Sequence, residues 1–288
     1  MSITLEDAVY TYSKGTAYEI TALDHVSLTI EQGEFVGVIG HTGSGKSTMV
    51  QLMNGLIRPT GGRVLYNGED IWAEQYDRRK LRFSVGLVFQ YPEHQLFETT
   101  VLADVCFGPK NQGLSPEECK HQAVKALEQV GLSEDCWEKS PFELSGGQKR
   151  KVAIAGVLAM NPSVMILDEP TAGLDPKGRD EILEQLSYLR KERGIAILLV
   201  SHSMEDVAEY VDRILVMNGG KKIFDDTPGN VFAHYKELEK MGLAAPQMTY
   251  ILHALAEKGL PVDTGAITLE KARDTILEAL ENRDRRQG

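Results

Sequence analysis

The sequence predicts an α/β fold in which apolar strands alternate with helices and the ligand site gathers at the C-terminal ends of the strands. Three observations predict it. An apolar run, Glu34 to Ile39, leads into Gly40-His41-Thr42-Gly43-Ser44-Gly45-Lys46-Ser47 and then into a helix-like stretch from Lys46 to Leu56. A second apolar run, Val164 to Leu167, ends in the carboxylate pair Asp168 and Glu169. Around both, residues up to about 90 and again from about 162 to 225 repeat the alternation of strand and helix.

Taken along the chain, each element carries its own reason. The strand, glycine-rich loop and helix around Gly40 form the context of a phosphate-binding loop, whose glycines let backbone N–H groups turn inward around phosphate oxygens. Lys46 of that loop reaches the outer phosphates, the Ser47 hydroxyl is a Mg²⁺ ligand, and the helix N-terminus adds partial positive charge. Thr48 completes the motif. The stretch Ser84 to Phe89 reads as a strand, and Tyr91 to Glu98 after it mixes Pro92, Leu96 and Phe97 with charges, as expected of an exposed docking surface or of a surface loop with two apolar anchors in the core. A helix begins after Ser115, with Pro116 first and Glu118 closing a capping box, and runs to near Gly131 with Ala123, Leu127 and Val130 on one stripe.

Next comes Leu144-Ser145-Gly146-Gly147-Gln148, followed by an apolar-faced helix from Gln148 to Met160 that stops before Asn161-Pro162. Ser145 to Gln148 is a second anion-binding helix end. Asp168 then reads as a holder of Mg²⁺ through its shell, and Glu169 as the group that orients or deprotonates an attacking water. Ile195 to Val200 is a further strand, with His202 just past it. Two helical patterns close the chain, Pro246 to Lys258 and Leu269 to Asn282. The second follows a Thr268 N-cap and has Leu269, Ala272, Ile276 and Leu280 on one face.

With a phosphate loop and a downstream LSGGQ in one chain, the sequence resembles the ATP-binding cassette (ABC) ATPases over about residues 1 to 225. That resemblance implies a P-loop NTPase fold with a RecA-like core sheet, an antiparallel β subdomain and a helical subdomain. It implies ATP and Mg²⁺ as ligands, and two cassettes that close face to face so that the signature of one completes the ATP site of the other. Position by position, Tyr12 resembles the aromatic that stacks on adenine, and Gln90 the glutamine that meets Mg²⁺ and the attacking water. Asp175 in Ala172-Gly173-Leu174-Asp175 resembles the D-loop aspartate, and His202 the switch histidine at the γ-phosphate. The implied domain division is an ABC domain over residues 1–229, with its helical subdomain at about 91–161, and a C-terminal helical extension over 230–288 that pairs cassettes.

A closer resemblance lies within that group. Gly40 to Thr48, the segment Gln90-Tyr91-Pro92-Glu93-His94-Gln95-Leu96-Phe97-Glu98, and Leu144 to Met160 with its Lys149-Arg150-Lys151 are similar to the ATPase subunits of energy-coupling factor (ECF) transporters. The insertion from Lys14 to Ala22 resembles one of the two ATPase types there. The resemblance implies a prokaryotic importer of vitamins or metal ions, with this chain peripheral on the cytoplasmic face of the membrane. Its partners would be a second ATPase subunit, identical or paralogous, a membrane coupling protein and a separate substrate-binding membrane protein. A dedicated cobalt or nickel importer is an alternative, as is a soluble non-transport ABC ATPase, although the latter is expected to carry a second cassette or a coiled-coil insertion. The cargo stays open.

Composition bounds the remainder. A chain of 288 residues with 42% hydrophobic and 25% charged residues is an ordinary globular composition with ample core. Its net charge of −11 argues against nucleic acid as a main ligand, and the tail Arg283-Asp284-Arg285-Arg286 is too mixed to reverse that. The longest apolar runs fall far short of the ~18 residues of a membrane span. The start from Met1 to Asp7 has no basic region and no apolar core, so no secretion signal is expected. Cys106, Cys119 and Cys136 form no CxxC pair, which suggests neither zinc nor a disulfide framework and fits a reducing cytoplasm.

Overall fold

The computed structural model describes residues 1–287; for Asp284 to Gln287 only the helical backbone is described, so the mixed charge of the tail lies outside the described side chains. The chain opens with a long hairpin, β1 (Ser2–Tyr12) and β2 (Ile20–Glu31), and passes through β3 (Phe35–Ile39) into α1 (Lys46–Met53). It returns through β4 (Gly61–Tyr66), β5 (Glu69–Asp70) and α2 (Arg78–Ser84) to β6 (Val85–Val88). A short 3₁₀ turn over Pro92–Gln95 then leads into three helices, α3 (Val101–Gln112), α4 (Pro116–Gln129) and α5 (Gly146–Leu158). The core resumes with β7 (Val164–Asp168), α6 (Pro176–Arg193), β8 (Ala196–Val200), α7 (Met204–Tyr210), β9 (Arg213–Asn218) and β10 (Lys221–Asp226). Four helices follow: α8 (Pro228–Ala233), α9 (Tyr235–Lys240), α10 (Gln247–Glu257) and α11 (Leu269–Gln287).

Two sheets result. The N-terminal one is antiparallel, in the order β2-β1-β4-β5, and the other runs β10-β9-β3-β8-β7-β6 with only β10 antiparallel to its neighbour. β3, β7 and β8 are buried along their whole length, which is why they read as unbroken apolar runs rather than alternating ones. One core cluster joins the two sheets and α1 through Leu5, Leu23, Val36, Met49 and Leu198. A larger one lies between the parallel sheet and the helices α3 to α7, reaching Phe232 and Leu238 beyond the last strand.

The parallel register sets the position of the site. Val38 pairs with Val200, Asp168 with Val200, and Val88 with Leu167. The loops that leave β3, β6, β7 and β8 therefore emerge side by side on one edge, at Gly40, Phe89, Glu169 and Ser201.

Several boundaries differ from the sequence reading, each for a local reason. The first core helix stops at Met53 rather than Leu56, because Asn54 caps it and Gly55 turns away at φ 69°. The strand expected from Ser84 to Phe89 shrinks to Val85–Val88, since Asp77 accepts hydrogen bonds from the N–H groups of Arg79 and Lys80 and starts a helix that absorbs Ser84. α5 begins two residues before Gln148. The capping box at Ser115 and Glu118 is present as read, and Ala123, Leu127 and Val130 are buried. The last helix runs past Asn282 to Gln287, and its expected apolar face is only partly covered: Ala272 is fully buried, while Leu269 is 69% exposed and Leu280 41%.

Candidate functional site

β3 delivers the chain to Gly40, and the loop then closes onto α1 through glycines that nothing larger replaces. Gly45 has φ 103°, and a Cβ there would lie 2.4 Å from the carbonyl oxygen of Ala22 in β2. Two residues from the β9–β10 turn brace the same loop: the Gly220 N–H donates to the Ser44 carbonyl at 3.1 Å, and His41 Nε2 lies 2.9 Å from the Asn218 side-chain oxygen. α1 has no side-chain cap at its N-terminus and no acidic residue in its first turn. Its first N–H groups and the positive end of its dipole are therefore left for a ligand, and an anion fits them.

Lys46 is buried, and its ammonium donates to the carbonyls of Gly40 at 2.6 Å and His41 at 3.0 Å. Burial pushes its pKa down, while the carboxylates of Glu169 and Asp168 pull the other way. Ser47 donates its hydroxyl to Asp168 Oδ2 at 3.2 Å, and burial pushes the Asp168 carboxyl up against that hydrogen bond. A hydroxyl and a carboxylate converging beside the Gln90 amide are hard oxygen donors of the kind Mg²⁺ selects.

Glu169 sits one residue past β7 in the left-handed region, at φ 51°, with its N–H donating to the Val200 carbonyl at 3.0 Å. That backbone turn aims its carboxylate across the strand ends. Gln90 donates to Glu169 Oε2 at 2.8 Å, and His202 Nε2 lies 2.7 Å from Oε1. Residues from β3, β6, β7 and β8 thus meet in one cluster of Lys46, Ser47, Gln90, Asp168, Glu169 and His202. Tyr12 stands at its rim, 41% exposed, with its hydroxyl 3.1 Å from Thr48 Oγ1 and its ring edge-on to Tyr10 at 4.7 Å. Thr42 and Gly43 are exposed on the loop, and Ser44 is fully buried.

Two expected site groups serve local ends of helices. Ser145 caps α5: its Oγ accepts from the Gln148 N–H at 3.3 Å, and the Gln148 side chain accepts from the Ser145 N–H at 3.0 Å. Gly146 and Gly147 form the first turn between them. Asp175 caps α6, accepting from the Gly178 N–H at 2.8 Å. Leu96, expected on an exposed surface, is instead 8% exposed and belongs to the large core cluster, whereas Phe97 is 58% exposed and packs edge-on against Phe107 at 5.0 Å.

The sequence reading missed the residue that ties these parts together. Arg150, in the second turn of α5, is 2% exposed. Its Nη2 donates to both Glu93 oxygens at 3.0 and 3.1 Å, and its Nη1 donates to the Ala172 carbonyl at 2.6 Å. The helix that Ser145 starts is thereby joined to the Gln90 segment and to the loop between Glu169 and Asp175. The one signal was its spacing, four before Ile154 and eight before Leu158 on the buried face. Asn218 had no signal at all, being 177 residues from His41.

Known proteins match this architecture. The family model described as ABC transporter matches residues 23–172. A model described as AAA domain, putative AbiEii toxin, Type IV TA system matches residues 139–206, the stretch carrying Ser145, Asp168, Glu169 and His202. The chain is 52% identical over 284 residues to the energy-coupling factor transporter ATP-binding protein EcfA2 of Clostridium tetani, covering 98% of this chain and 99% of that protein. The EcfA2 protein of Clostridium acetobutylicum is also 52% identical, over 99% of this chain and all of the relative. Among solved structures, cbiO1 of Clostridium perfringens, part of the ABC transporter complex cbiONQ, superposes with a TM-score of 0.74 at 40% identity, covering 88% of this chain and 98% of that one. A dimeric ATP-binding cassette in a post-hydrolysis state, bound to ADP and Pi, superposes with a TM-score of 0.69 at 32% identity over 78% of this chain and 98% of that one. With the cassette fold, the phosphate loop, the signature and near-full-length relatives in agreement, the chain belongs to the ABC transporter ATPases and, within them, to the ATP-binding proteins of energy-coupling factor transporters.

Proposed function

We propose that the chain is one of a pair of ATP-hydrolysing subunits that energise uptake through an energy-coupling factor transporter, peripheral to the cytoplasmic face of a prokaryotic membrane. The observation that carries this reading is the Glu169 carboxylate held between Gln90 and His202, beside Lys46, Ser47 and Asp168. The residues divide the work. Loop N–H groups and Lys46 bind the β- and γ-phosphates, Lys46 exchanging the carbonyls of Gly40 and His41 for phosphate oxygens. Tyr12 stacks on the adenine. Ser47, Asp168 and Gln90 hold Mg²⁺, which when bound supplies positive charge to the phosphate oxygens. Glu169 orients and deprotonates water for in-line attack, and His202 holds the γ-phosphate as charge develops.

Ser145 to Gln148 and Asp175 stay engaged in helix caps within one chain. We therefore assign them to the ATP of a second cassette, in keeping with the dimeric, ADP- and Pi-bound relative. The exposed Leu269, Leu277 and Leu280 on α11 suit pairing through the C-terminal helices. The Phe97–Phe107 pair, two residues from the Gln90–Gln95 segment, suits the membrane coupling protein. The cargo is a vitamin or a metal ion recognised by a separate membrane protein.

Affinity purification of the tagged full chain from native membranes tests the reading. A second cassette and two kinds of membrane subunit should co-purify, and Phe97→Asp with Phe107→Asp should release the membrane subunits while ATP binding persists. Recovery of the chain alone, or retention of membrane subunits by the double variant, would sink the assignment.

A further inference from the structure

A cluster of cationic residues in this acidic chain has no role in the site. Four of the five residues from Arg78 to Arg82 are cationic, in a protein of net charge −11. Arg78 lies over the Trp72 ring at 4.8 Å from guanidinium carbon to centroid, and Arg58 over the same ring at 5.8 Å. One indole thus holds two guanidinium groups near each other, its negative face offsetting their repulsion. Among the described residues no carboxylate within ion-pair distance of Arg58, Arg78, Arg79, Lys80 or Arg82 is found; nearby Asp77 is engaged in capping α2.

This patch is rigidly placed. Arg79 Nη2 donates to the Asn111 carbonyl at the end of α3 at 2.6 Å, and Arg82 Nη2 donates to the Gly55 carbonyl at 3.3 Å, next to Leu56, which is 41% exposed. Asn111 lies one helical turn from Phe107 on α3, so the cations flank the exposed Phe97–Phe107 pair. The cations are spread over a surface with an apolar Leu56 and an indole between them. That arrangement suits a sheet of phosphate groups rather than one shaped partner.

We propose that Arg58 and Arg78, ordered over Trp72, together with the exposed Lys80 two residues on, contact the phosphate headgroups of anionic lipids and orient the cassette against the membrane. The inference rests on the reading of Phe97 and Phe107 as the membrane-facing side. Charge opposite to the net charge of the chain favours contact through this patch over contact through the chain as a whole.

The test uses the purified full chain and vesicles of phosphatidylcholine, alone or mixed with phosphatidylglycerol, in a sedimentation assay. The wild-type chain should bind only the mixed vesicles and leave them as salt rises. Arg58→Gln, Arg78→Gln and Lys80→Gln together should weaken binding about a hundred-fold, at roughly five-fold per cation, with ATP hydrolysis unchanged. Arg79 and Arg82 are left in place because they hold backbone carbonyls. Equal binding by the triple variant, no binding by wild type, or displacement of wild type by millimolar inorganic phosphate would each overturn the proposal. A triple variant that loses its membrane subunits in detergent, where no bilayer exists, would overturn it in favour of an acidic protein segment. If the function reading alone fails, membrane subunits are absent from purification while vesicle binding persists.

Discussion

Arg150 and Glu93 offer a quantitative test, because their side chains are 3% and 17% exposed and joined by a two-pronged contact. Glu93→Ala leaves a guanidinium inside the protein with the Ala172 carbonyl as its remaining partner. Removing one member of a buried pair costs about 3–5 kcal/mol, and the surviving carbonyl bond places this case near 3 kcal/mol. For a chain of 288 residues that is a fall in Tm of about 5 °C. Arg150→Met should cost a similar amount, since Glu93 then loses its counter-charge. The double variant Glu93→Ala with Arg150→Met, which removes both charges, should be less destabilised than the sum of the singles by about 2 kcal/mol. Urea unfolding of the four proteins measures the cycle. Singles that each cost under about 1 kcal/mol and add without coupling would show the pair behaving as an exposed one and would refute the bridging role.

Three further outcomes follow from the site. Glu169→Gln should bind ATP and hydrolyse it about 10²–10⁴-fold more slowly in the assembled complex, and near-normal turnover in a steady-state assay would remove Glu169 from the base role. Tyr12→Ala should raise the KM for ATP about five- to ten-fold with little change in kcat, and Tyr12→Phe should keep most of the affinity, the stack being worth about 1 kcal/mol; equal effects of the two variants would point to the hydroxyl on Thr48 instead. Because burial raises the Asp168 carboxyl, its ionised form destabilises the nucleotide-free fold above the ordinary carboxylate range, and that penalty fades as pH falls below it. Asp168→Asn should therefore raise Tm at neutral pH and match the wild type at acid pH, and a gap that widens on acidification would contradict the burial argument.

Much of this was legible in the sequence because the parallel strands are covered on both faces. β3, β7 and β8 stand out as apolar runs, and the residues just past each of them are the ones that meet. Gly40, Lys46, Asp168 and Glu169 were named from motifs set at strand ends, and His202 from its place just past a strand together with the family resemblance. Leu96 was misread for the opposite reason: in a short irregular segment no periodicity tells an apolar residue that faces inward from one that faces out, and adjacent Phe97 took the exposed place. α2 was hidden because four charged residues mask its single buried side chain, Leu81, and its start depends on a cap at Asp77. The bracing of the loop by Asn218 and Gly220 depends on β9 lying beside β3, a fact of topology that no local pattern carries.

The capping box between Ser145 and Gln148 has a consequence for timing. The Ser145 hydroxyl and the Gln148 side chain already engage one another, whereas the Gly146 and Gly147 N–H groups lie outside the box, so a phosphate from the proposed second cassette would meet those two N–H groups directly and would gain the box's own groups only by exchanging one set of hydrogen bonds for another. A cap of this kind is worth about 0.5–2 kcal/mol. That sum is returned whenever such a phosphate departs, as Ser145 and Gln148 close their box again. On the proposed pairing of cassettes, the signature would work as a catch sprung towards release, and a variant that keeps Ser145 but loses its glutamine partner should let go more slowly.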